Sequence, residues 1–203
     1  MAEADVGAEK AAARERFRAL RGAMPASERV RASDAIVRNL LALPEVASAR
    51  TVMAYWPLVD LGEVDLRPLL DRLVADGRTV ALPATGPRRM LTPRRYDGAL
   101  VTGVFGTREP PPDADAVASE AVEVVIVPGL AMGRDGTRLG YGSGFYDAFL
   151  PTTPAIRLGA VWARALVDTL PTTAHDAVLD AVVTERGVVR PEAGGRNRHA
   201  LRT

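Results

Sequence analysis

The chain has 203 residues, of which 47% are hydrophobic and 25% charged, with a formal net charge of +1. This composition suits one soluble domain with a sizeable core, and the near-neutral charge gives no overall field that would attract nucleic acid. The absence of cysteine excludes disulfides, thiolate metal sites and a cysteine nucleophile. No apolar run approaches the roughly 20 residues that span a bilayer, and the N-terminus lacks the apolar segment of a secretory signal. We therefore expect a cytoplasmic protein with no nucleic-acid or membrane partner.

The basic residues are almost all arginine. Of the 26 basic side chains, Lys10 is the only lysine. An ammonium is a compact charge and a guanidinium is a planar fork, so a lone lysine suggests a site where the compact group is needed. The alternative is chance placement on an exposed helix, which composition alone favours.

The N-terminal part of the chain is predicted to be helical. Residues 1–7 are expected to be disordered, and apolar residues at spacings of three and four predict a helix over Ala8–Met24. Pro25 ends that helix, and Ser27 is the expected N-cap of a second helix that reaches about Leu43.

A change of pattern then indicates a β-α-β unit. Thr51–Trp56 is predicted as a strand, Val64–Ala75 as a helix and Arg78–Leu82 as a second strand that Pro83 stops. A short crossover of this kind favours parallel strands in an α/β sheet.

The middle of the chain contains one strong strand. Val122–Val127 is almost continuously apolar and β-branched, as is typical of a central parallel strand. Met90–Tyr96 and Ala99–Val104 are weaker candidates for edge strands. Glu109–Asp115 contains three successive prolines, so we expect a surface connection there rather than a helix or a domain boundary.

The C-terminal part completes the predicted fold. Ser143–Leu150 is expected to form a short helix, and Ile156–Trp162 and Ala181–Thr184 the last strands. Residues 191–203 are expected to be a flexible tail. We predict one α/β domain over residues 8–190, with three α/β/α layers and a mostly parallel, Rossmann-like central sheet.

A glycine-rich loop follows the predicted central strand. Gly140, Gly142 and Gly144 alternate there, in front of the short helix. Ligands of open α/β sheets bind beyond the carboxyl ends of strands, and glycines let the backbone come close to a phosphate. The spacing matches neither the Walker A loop nor the dinucleotide-binding loop. The alternative is an ordinary glycine-rich turn between a strand and a helix.

Charged residues stand on both sides of this loop. Arg138 precedes it and can offer two parallel hydrogen bonds to phosphate oxygens. Asp147 falls in the first turn of the predicted helix, and a carboxylate beside phosphate oxygens is a normal ligand of Mg²⁺. The pattern therefore indicates a site for a metal-bound phosphate group.

The segment VPGLAMGRDGTRLGYGSGFYDAFL (127–150) resembles the signature of the 5-formyltetrahydrofolate cyclo-ligase family, PGLAFD-x-x-G-x-RLG-x-G-x-GYYD. Three further segments resemble the family in the same order. They are the KxxxR pair Lys10 and Arg14, the stretch YWPLVDLGEVDLRPLL (55–70), and the stretch LPTTAHDAVLDAVVT (170–184).

This resemblance implies an activity. The family converts 5-formyltetrahydrofolate to 5,10-methenyltetrahydrofolate, uses ATP with Mg²⁺, phosphorylates the formyl oxygen and releases ADP and phosphate. The substrate would be the folate, whose glutamate number the sequence leaves open, and we expect a monomer. Such a reaction needs positioning and charge neutralisation rather than a covalent nucleophile, in agreement with a chain that lacks cysteine.

The resemblance also implies roles for individual residues. The catalytic cations would be Lys10 and Arg138. The ATP-binding residues would be Lys10, Arg14, Arg138, Leu139, Gly140, Tyr141, Gly142, Ser143, Gly144, Phe145 and Tyr146. The substrate-binding residues would be Trp56, Glu63, Tyr141 and Phe145. The Mg²⁺ ligands would be Asp147 and Asp176.

Some assignments stay open at this level. Asp65 is the alternative to Glu63 for holding the pterin, and it is also a plausible helix N-cap. His175 and His199 lack the spacing of a metal or catalytic motif, so neither receives a role.

The sequence also departs from the family pattern. Met132 and Gly133 replace the family's Phe-Asp, and Ala84 stands where a basic residue is usual. Phe145-Tyr146 in place of the Tyr-Tyr of GYYD is a milder change. These departures keep a non-catalytic folate or nucleotide binder as an alternative. A sugar-phosphate isomerase or a CoA-transferase-like enzyme on a similar scaffold is the other alternative.

Overall fold

The computed structural model describes residues 3–104 and 106–192. Residues 1–2, and residues 193–203 of the predicted tail, lie outside the described residues. The helices are α1 (Glu3–Gly22), α2 (Ala26–Leu41), α3 (Pro44–Ser48), α4 (Arg67–Ala75) and α5 (Phe145–Phe149). The strands are β1 (Thr51–Met53), β2 (Thr79–Thr85), β3 (Leu91–Arg95), β4 (Val101–Thr102), β5 (Arg108–Glu109), β6 (Val124–Val127), β7 (Ala131–Gly133), β8 (Arg138–Leu139), β9 (Ile156–Ala160), β10 (Leu166–Val167), β11 (Ala181–Thr184) and β12 (Gly187–Val189).

A seven-stranded sheet forms the centre of the fold, in the order β12-β11-β9-β6-β1-β2-β3. The five inner strands run parallel, and the two outer strands β3 and β12 are antiparallel to their neighbours. The predicted mostly parallel sheet is therefore confirmed, with the strand of residues 124–127 at its centre.

Alternating side chains of the central strand support a hydrophobic layer on each face of the sheet. Val124 and Ile126 pack with the apolar residues of α2 and α4. Val125 and Val127 pack on the opposite face with Phe17 of α1 and with α5. A strand that is buried on both faces must be apolar throughout, which explains the continuous Val-Val-Ile-Val run and confirms the three layers.

Several predicted boundaries differ from the structure. Helix α1 begins at Glu3 rather than at Ala8, although Asp5, Val6 and Gly7 are poor helix formers. The prediction of Ser27 as an N-cap is wrong, since α2 has Pro25 at that position and no side-chain cap. Strand β1 ends at Met53 instead of Trp56. Helix α4 starts at Arg67 rather than Val64, with a proline in its first turn.

The prediction that Pro83 stops β2 is also wrong. The strand continues to Thr85, with Pro83 opposite Pro93 of the antiparallel edge strand β3. The neighbouring strand β1 ends at Met53, whose partner is Ala81, so it offers no ladder that the proline could interrupt.

A small second sheet lies on the face that carries α1 and α5. Strands β7 and β8 form an antiparallel hairpin, and β10 pairs parallel with β7. None of these short strands was predicted. Met132 of β7 is fully buried and reaches Gly159 of the main sheet. The hairpin therefore holds the start of the glycine-rich loop against the sheet.

We expect Gly159→Ala to destabilise the fold by about 1–3 kcal/mol, the usual effect of overfilling a packed core. A Cβ at this position would lie 2.2 Å from Met132 Sδ and 2.6 Å from Leu179 Cδ1. The free energy of unfolding in urea measures the change. Gly7→Ala is the matched control, because no atom lies within 4 Å of a Cβ added in this exposed helical position. Equal stability of the two variants would contradict this description of the packing.

Candidate active site

A cavity of about 810 Å³ opens beyond the carboxyl ends of the parallel strands. The strand that follows β1 in the chain, β2, lies on the side of β1 away from β6. The next strand of this sheet after β6, β9, lies on the side of β6 away from β1. The strand order therefore reverses between β1 and β6, which is where α/β sheets bind their ligands. Tyr55 and Trp56 follow β1, Pro128 follows β6, and all three line the cavity.

This cavity brings together every residue for which the sequence predicted a site role. The predicted residues that line it are Lys10, Arg14, Trp56, Glu63, Arg138, Leu139, Gly140, Tyr141, Gly142, Ser143, Gly144, Phe145, Tyr146, Asp147 and Asp176. Asp65 is not among the lining residues. Its carboxylate binds the Arg67 guanidinium and accepts from the Arg67 backbone N–H at 3.1 Å.

Each glycine of the loop faces a different arginine. A Cβ on Gly140 would lie 2.7 Å from Arg138 Nη1, and one on Gly142 would lie 3.4 Å from Arg14 Cζ. A Cβ on Gly144 would lie 3.4 Å from Nη1 of Arg89. Gly142 and Gly144 also have φ values of +105° and +73°, which favour glycine. Three guanidinium groups therefore lie close to the backbone of the loop, an arrangement whose charge suits an anion.

The helix that follows the loop is shorter than predicted. It comprises Phe145–Phe149 rather than Ser143–Leu150, with Gly144 as its N-cap. Five residues give only a small helix dipole, so the arginines must provide most of the positive potential for an anion. Asp147 lies in its first turn, as predicted.

Arg138 and Asp147 form a partly buried ion pair. Arg138 Nη2 donates to Asp147 Oδ1 at 2.6 Å, and Arg138 Nη1 donates to the Pro128 carbonyl at 3.3 Å. The arginine side chain is 5% exposed and the aspartate 27% exposed. Arg138 Nε and the Tyr146 hydroxyl are buried without a partner in the described part of the chain. Both residues line the cavity.

Lys10 and Asp176 form a second ion pair, which joins α1 to the C-terminal part of the chain. The same carboxylate oxygen of Asp176 accepts from the Thr173 hydroxyl at 3.0 Å and from the Thr173 N–H at 2.5 Å. Burial alone would raise the pKa of Asp176, but the bonds from Lys10 and Thr173 outweigh it, and the pKa is lowered. Asp176 is therefore ionised at neutral pH.

A buried acidic group lies near the carboxyl end of β1. Glu63 is 7% exposed, accepts from the Leu58 N–H at 2.8 Å and accepts a hydrogen bond from the Tyr141 hydroxyl. Burial, and then the Glu63 charge, raise the pKa of Tyr141 well above its usual range. Burial and Glu63 raise the pKa of Tyr55 in the same way. These phenols remain protonated, and Trp56 lines the cavity beside them.

Two carboxylates of the cavity have the donor chemistry of a magnesium site. Asp147 Oδ1 accepts from Arg138 and from the Ala177 N–H at 3.4 Å, and Asp176 Oδ2 accepts from Lys10 and Thr173. Within residues 3–104 and 106–192, the other oxygen of each group has no hydrogen-bond partner. No cluster of three or more metal-ligating side chains occurs among these residues. Since Mg²⁺ takes one or two carboxylates together with phosphate oxygens and water, this pair fits it.

Comparison with known proteins agrees with this geometry. The model of the 5-formyltetrahydrofolate cyclo-ligase family matches residues 6–185. The chain belongs to this family. A 5-formyltetrahydrofolate cyclo-ligase of Mycolicibacterium smegmatis is 39% identical over 152 residues, 70% of this chain and 77% of that one. One from Escherichia coli is 31% identical over 154 residues, 72% and 84% of the two chains. The NMR structure of Aquifex aeolicus 5,10-methenyltetrahydrofolate synthetase superposes with a TM-score of 0.80 and 31% identity, over 95% of this chain and 99% of that one.

Two of the three departures from the cyclo-ligase pattern lie outside the cavity, whereas the third, Phe145 in place of tyrosine, lines it. Met132 and Gly133 do not line it, and the Met132 side chain is fully buried in the core. Pro83 and Thr85 of β2 line the cavity, whereas Ala84 between them does not. In this cyclo-ligase family member, the alterations at Met132, Gly133 and Ala84 therefore add no side chain to the cavity lining.

Sequence reasoning missed four residues of the site. Arg21 of α1 donates to the Tyr141 hydroxyl and to the Gly129 carbonyl, each at 2.5 Å. Arg89 lies beside the glycine loop, in the connection between β2 and β3, and its φ is +62°. Thr173 binds Asp176 as described above.

Glu109 is the fourth of these residues. Its buried carboxylate accepts from the Thr85 and Thr107 hydroxyls at 2.8 and 2.7 Å and ties the β4–β5 hairpin to β2. Only Arg21, which falls on the face of α1 shared by Lys10 and Arg14 at helical spacing, carried a signal that sequence reasoning could have used.

Proposed function

We propose that this protein catalyses the ATP-dependent conversion of 5-formyltetrahydrofolate to 5,10-methenyltetrahydrofolate. The observation that carries the proposal is one cavity with a cationic, phosphate-compatible end and an acidic end. We call the part of the lining formed by Lys10, Arg14 and Arg138 the cationic end, and the part formed by Glu63 and Tyr141 the acidic end. The named relatives act on the same folate, which supports the assignment.

The cationic end is proposed to hold the triphosphate of ATP. Arg14 donates from Nε to the Gly140 carbonyl at 3.1 Å. This hydrogen bond fixes the orientation of the guanidinium and therefore of its two terminal nitrogens. Arg138 is held in the same way by Asp147 and Pro128. Cations that are already fixed need no reorganisation when the transferred phosphate develops charge.

We propose that Asp147 and Asp176 hold the Mg²⁺ that accompanies ATP. A bound Mg²⁺ would neutralise charge on the phosphate oxygens. Each carboxylate is already paired with a cation, Arg138 or Lys10. These pairs keep the carboxylates in place and at the same time set the two cations next to the phosphates.

Phosphorylation of the formyl oxygen solves the chemical problem of the ring closure. A formamide carbon is a weak electrophile and its oxygen is a poor leaving group, so transfer of a phosphoryl group to that oxygen corrects both. The chain then has to align the formyl oxygen with the terminal phosphate and exclude water, which positioning alone can achieve. The half-buried aromatic side chains of Tyr141 and Phe145, which line the cavity, support that role.

The acidic end is proposed to hold the pterin, whose ring N–H and amino groups suit a carboxylate acceptor. We expect Glu63→Gln to raise KM for 5-formyltetrahydrofolate about 10- to 100-fold, because an amide NH₂ would face a ligand donor in a buried position. Steady-state kinetics with the folate varied at saturating ATP measures the change. Asp65→Asn is the control and should leave this KM within about twofold, since Asp65 binds Arg67 outside the cavity. The opposite ranking would move the pterin to Asp65.

A direct experiment tests the proposed function. The purified protein is mixed with 5-formyltetrahydrofolate, MgCl₂ and ATP, and the near-ultraviolet absorbance of the methenyl product is followed. We expect growth of this absorbance that requires ATP. Tight folate binding without turnover would instead identify a non-catalytic relative, and turnover of a sugar phosphate or a CoA ester would identify one of the other enzyme classes.

Three finer points belong to this proposal. We propose that the enzyme acts as a monomer, because one chain contributes all of the residues named above. A cytoplasmic location stays a prediction, and the number of glutamates on the natural substrate stays open. In residues 3–104 and 106–192, no helix is both long and apolar enough to cross a membrane.

A further inference from the structure

Arg21 is a buried cation for which the proposed reaction has no direct use. It lies in the last turn of α1 and is 6% exposed. Its guanidinium is divided between two groups, the Tyr141 hydroxyl and the Gly129 carbonyl, each at 2.5 Å. Its Cζ also lies 5.7 Å from the centre of the Tyr141 ring. A desolvated arginine with such contacts fixes the position of the groups that it binds.

The stem of Arg21 also contacts the loop that carries Glu63. A Cβ on Gly62 would lie 2.6 Å from Arg21 Cγ, so the arginine packs directly against the residue before Glu63. On this loop, Trp162 Nε1 donates to the Gly62 carbonyl at 2.9 Å. Arg21 therefore contacts both halves of the acidic end, the glutamate loop and the tyrosine loop.

The hydrogen-bond directions determine where the tyrosine proton points. A guanidinium can only donate, so the Tyr141 oxygen accepts from Arg21, and its single hydrogen is left for Glu63 Oε1. Glu63 Oε2 accepts from the Leu58 N–H. Each carboxylate oxygen thus uses one acceptor position in the described part of the chain and keeps another. A direct ion pair with Arg21 would occupy those positions.

We propose that Arg21 is a positioning residue for the pterin ring of the folate, an inference that rests on the proposed function. Arg21 turns the Tyr141 hydrogen onto Glu63 and supplies the buried positive charge that balances the carboxylate. The phenol between them keeps the two charges close without a direct contact. The free acceptor positions of Glu63 then face the paired N–H donors of the pterin.

Two substitutions that break the same chain of hydrogen bonds test the inference. We expect Arg21→Met to raise KM for 5-formyltetrahydrofolate about tenfold or more, and to change KM for ATP less than about twofold. Tyr141→Phe keeps the ring and removes the donor, and it should shift KM in the same direction. In the double variant the two effects should not add, because residues that act through one another are coupled. The matched control is Arg18→Met, an exposed arginine of the same helix.

Each result bears on the inference. Equal rises in both KM values for Arg21→Met would indicate a purely structural role and overturn it, and so would additive effects in the double variant. If Arg21→Met does not fold, Tyr141→Phe decides alone, since an unchanged folate KM in that nearly isosteric variant overturns the inference. A wild-type chain without turnover would overturn the proposed function first, and this outcome is recognised before any variant is made.

Discussion

Replacing Arg138 with glutamine is expected to lower kcat/KM about 100- to 1,000-fold, the usual effect of removing one preorganised charge partner of a transition state. The guanidinium is nearly fully buried at the cavity wall and is held by Asp147 and the Pro128 carbonyl, so its charge is fixed before ligand binds. Glutamine retains a hydrogen-bond donor but no charge. Steady-state kinetics with ATP and 5-formyltetrahydrofolate measures the loss.

The β7–β8 hairpin, which carries Arg138, also provides a control for this substitution. Arg134 is 56% exposed and pairs with Asp168 at 3.6 Å outside the cavity, so Arg134→Gln should leave kcat/KM almost unchanged. Thermal unfolding of both variants tests whether they are folded. Asp147 is 27% exposed and can be hydrated after it loses Arg138, so we expect a folded Arg138→Gln variant. Near-normal turnover by a folded Arg138→Gln protein would rule out the proposed phosphate end.

Asp147→Asn is expected to reduce kcat/KM by a similar factor of about 100 or more, and to raise the Mg²⁺ concentration that gives half-maximal activity. Asparagine keeps an oxygen that can accept from Arg138, so the hydrogen bond of the pair can persist while the negative charge is lost. A neutral amide is a weaker ligand for a hard cation than a carboxylate. Titration of the rate with MgCl₂ at fixed ATP separates this effect from a general loss of activity.

A second measurement distinguishes metal binding from stability. Removal of the carboxylate leaves Arg138 buried without its charge partner, which destabilises proteins. Thermal unfolding should therefore show a lower midpoint for Asp147→Asn, with the protein still folded at assay temperature. Asp168→Asn, at a position that is 98% exposed, is the control and should change neither property. If the Mg²⁺ requirement of Asp147→Asn equals that of the wild type, then Asp147 is not a metal ligand.

The parts of the site that the sequence predicted are those that short local patterns encode. The alternating glycines require particular backbone angles and close approaches, and Asp147 sits a fixed distance further along the same segment. Lys10 is the only lysine of the chain, but its predicted role depended on the KxxxR spacing with Arg14 that resembles the family. Each of these signals depends on residue type and spacing alone.

Other parts depend on contacts between distant segments. Arg21 meets Tyr141 across 120 positions of sequence, and Thr85 meets Glu109 across 24, so no local spacing could identify either pair. The path of β2 through Pro83 was also not predictable locally. It depends on where β1 ends and on the antiparallel pairing with β3. The intrinsic strand propensity of proline carries no information about either neighbour.

Helix α1 carries Lys10, Arg14 and Arg21 along one face, and each of them contacts a different part of the cavity wall. With a rise of 1.5 Å per residue, Lys10 and Arg21 are about 16 Å apart along the axis of one rigid strut. If a nucleotide immobilises the Lys10 end of this helix, it also restrains the Arg21 end, and the protein then has less conformational entropy to lose when the folate binds. We therefore expect the two ligands to bind with positive cooperativity. Thermodynamic linkage makes this cooperativity reciprocal, and the gain in affinity is the same in either order of addition.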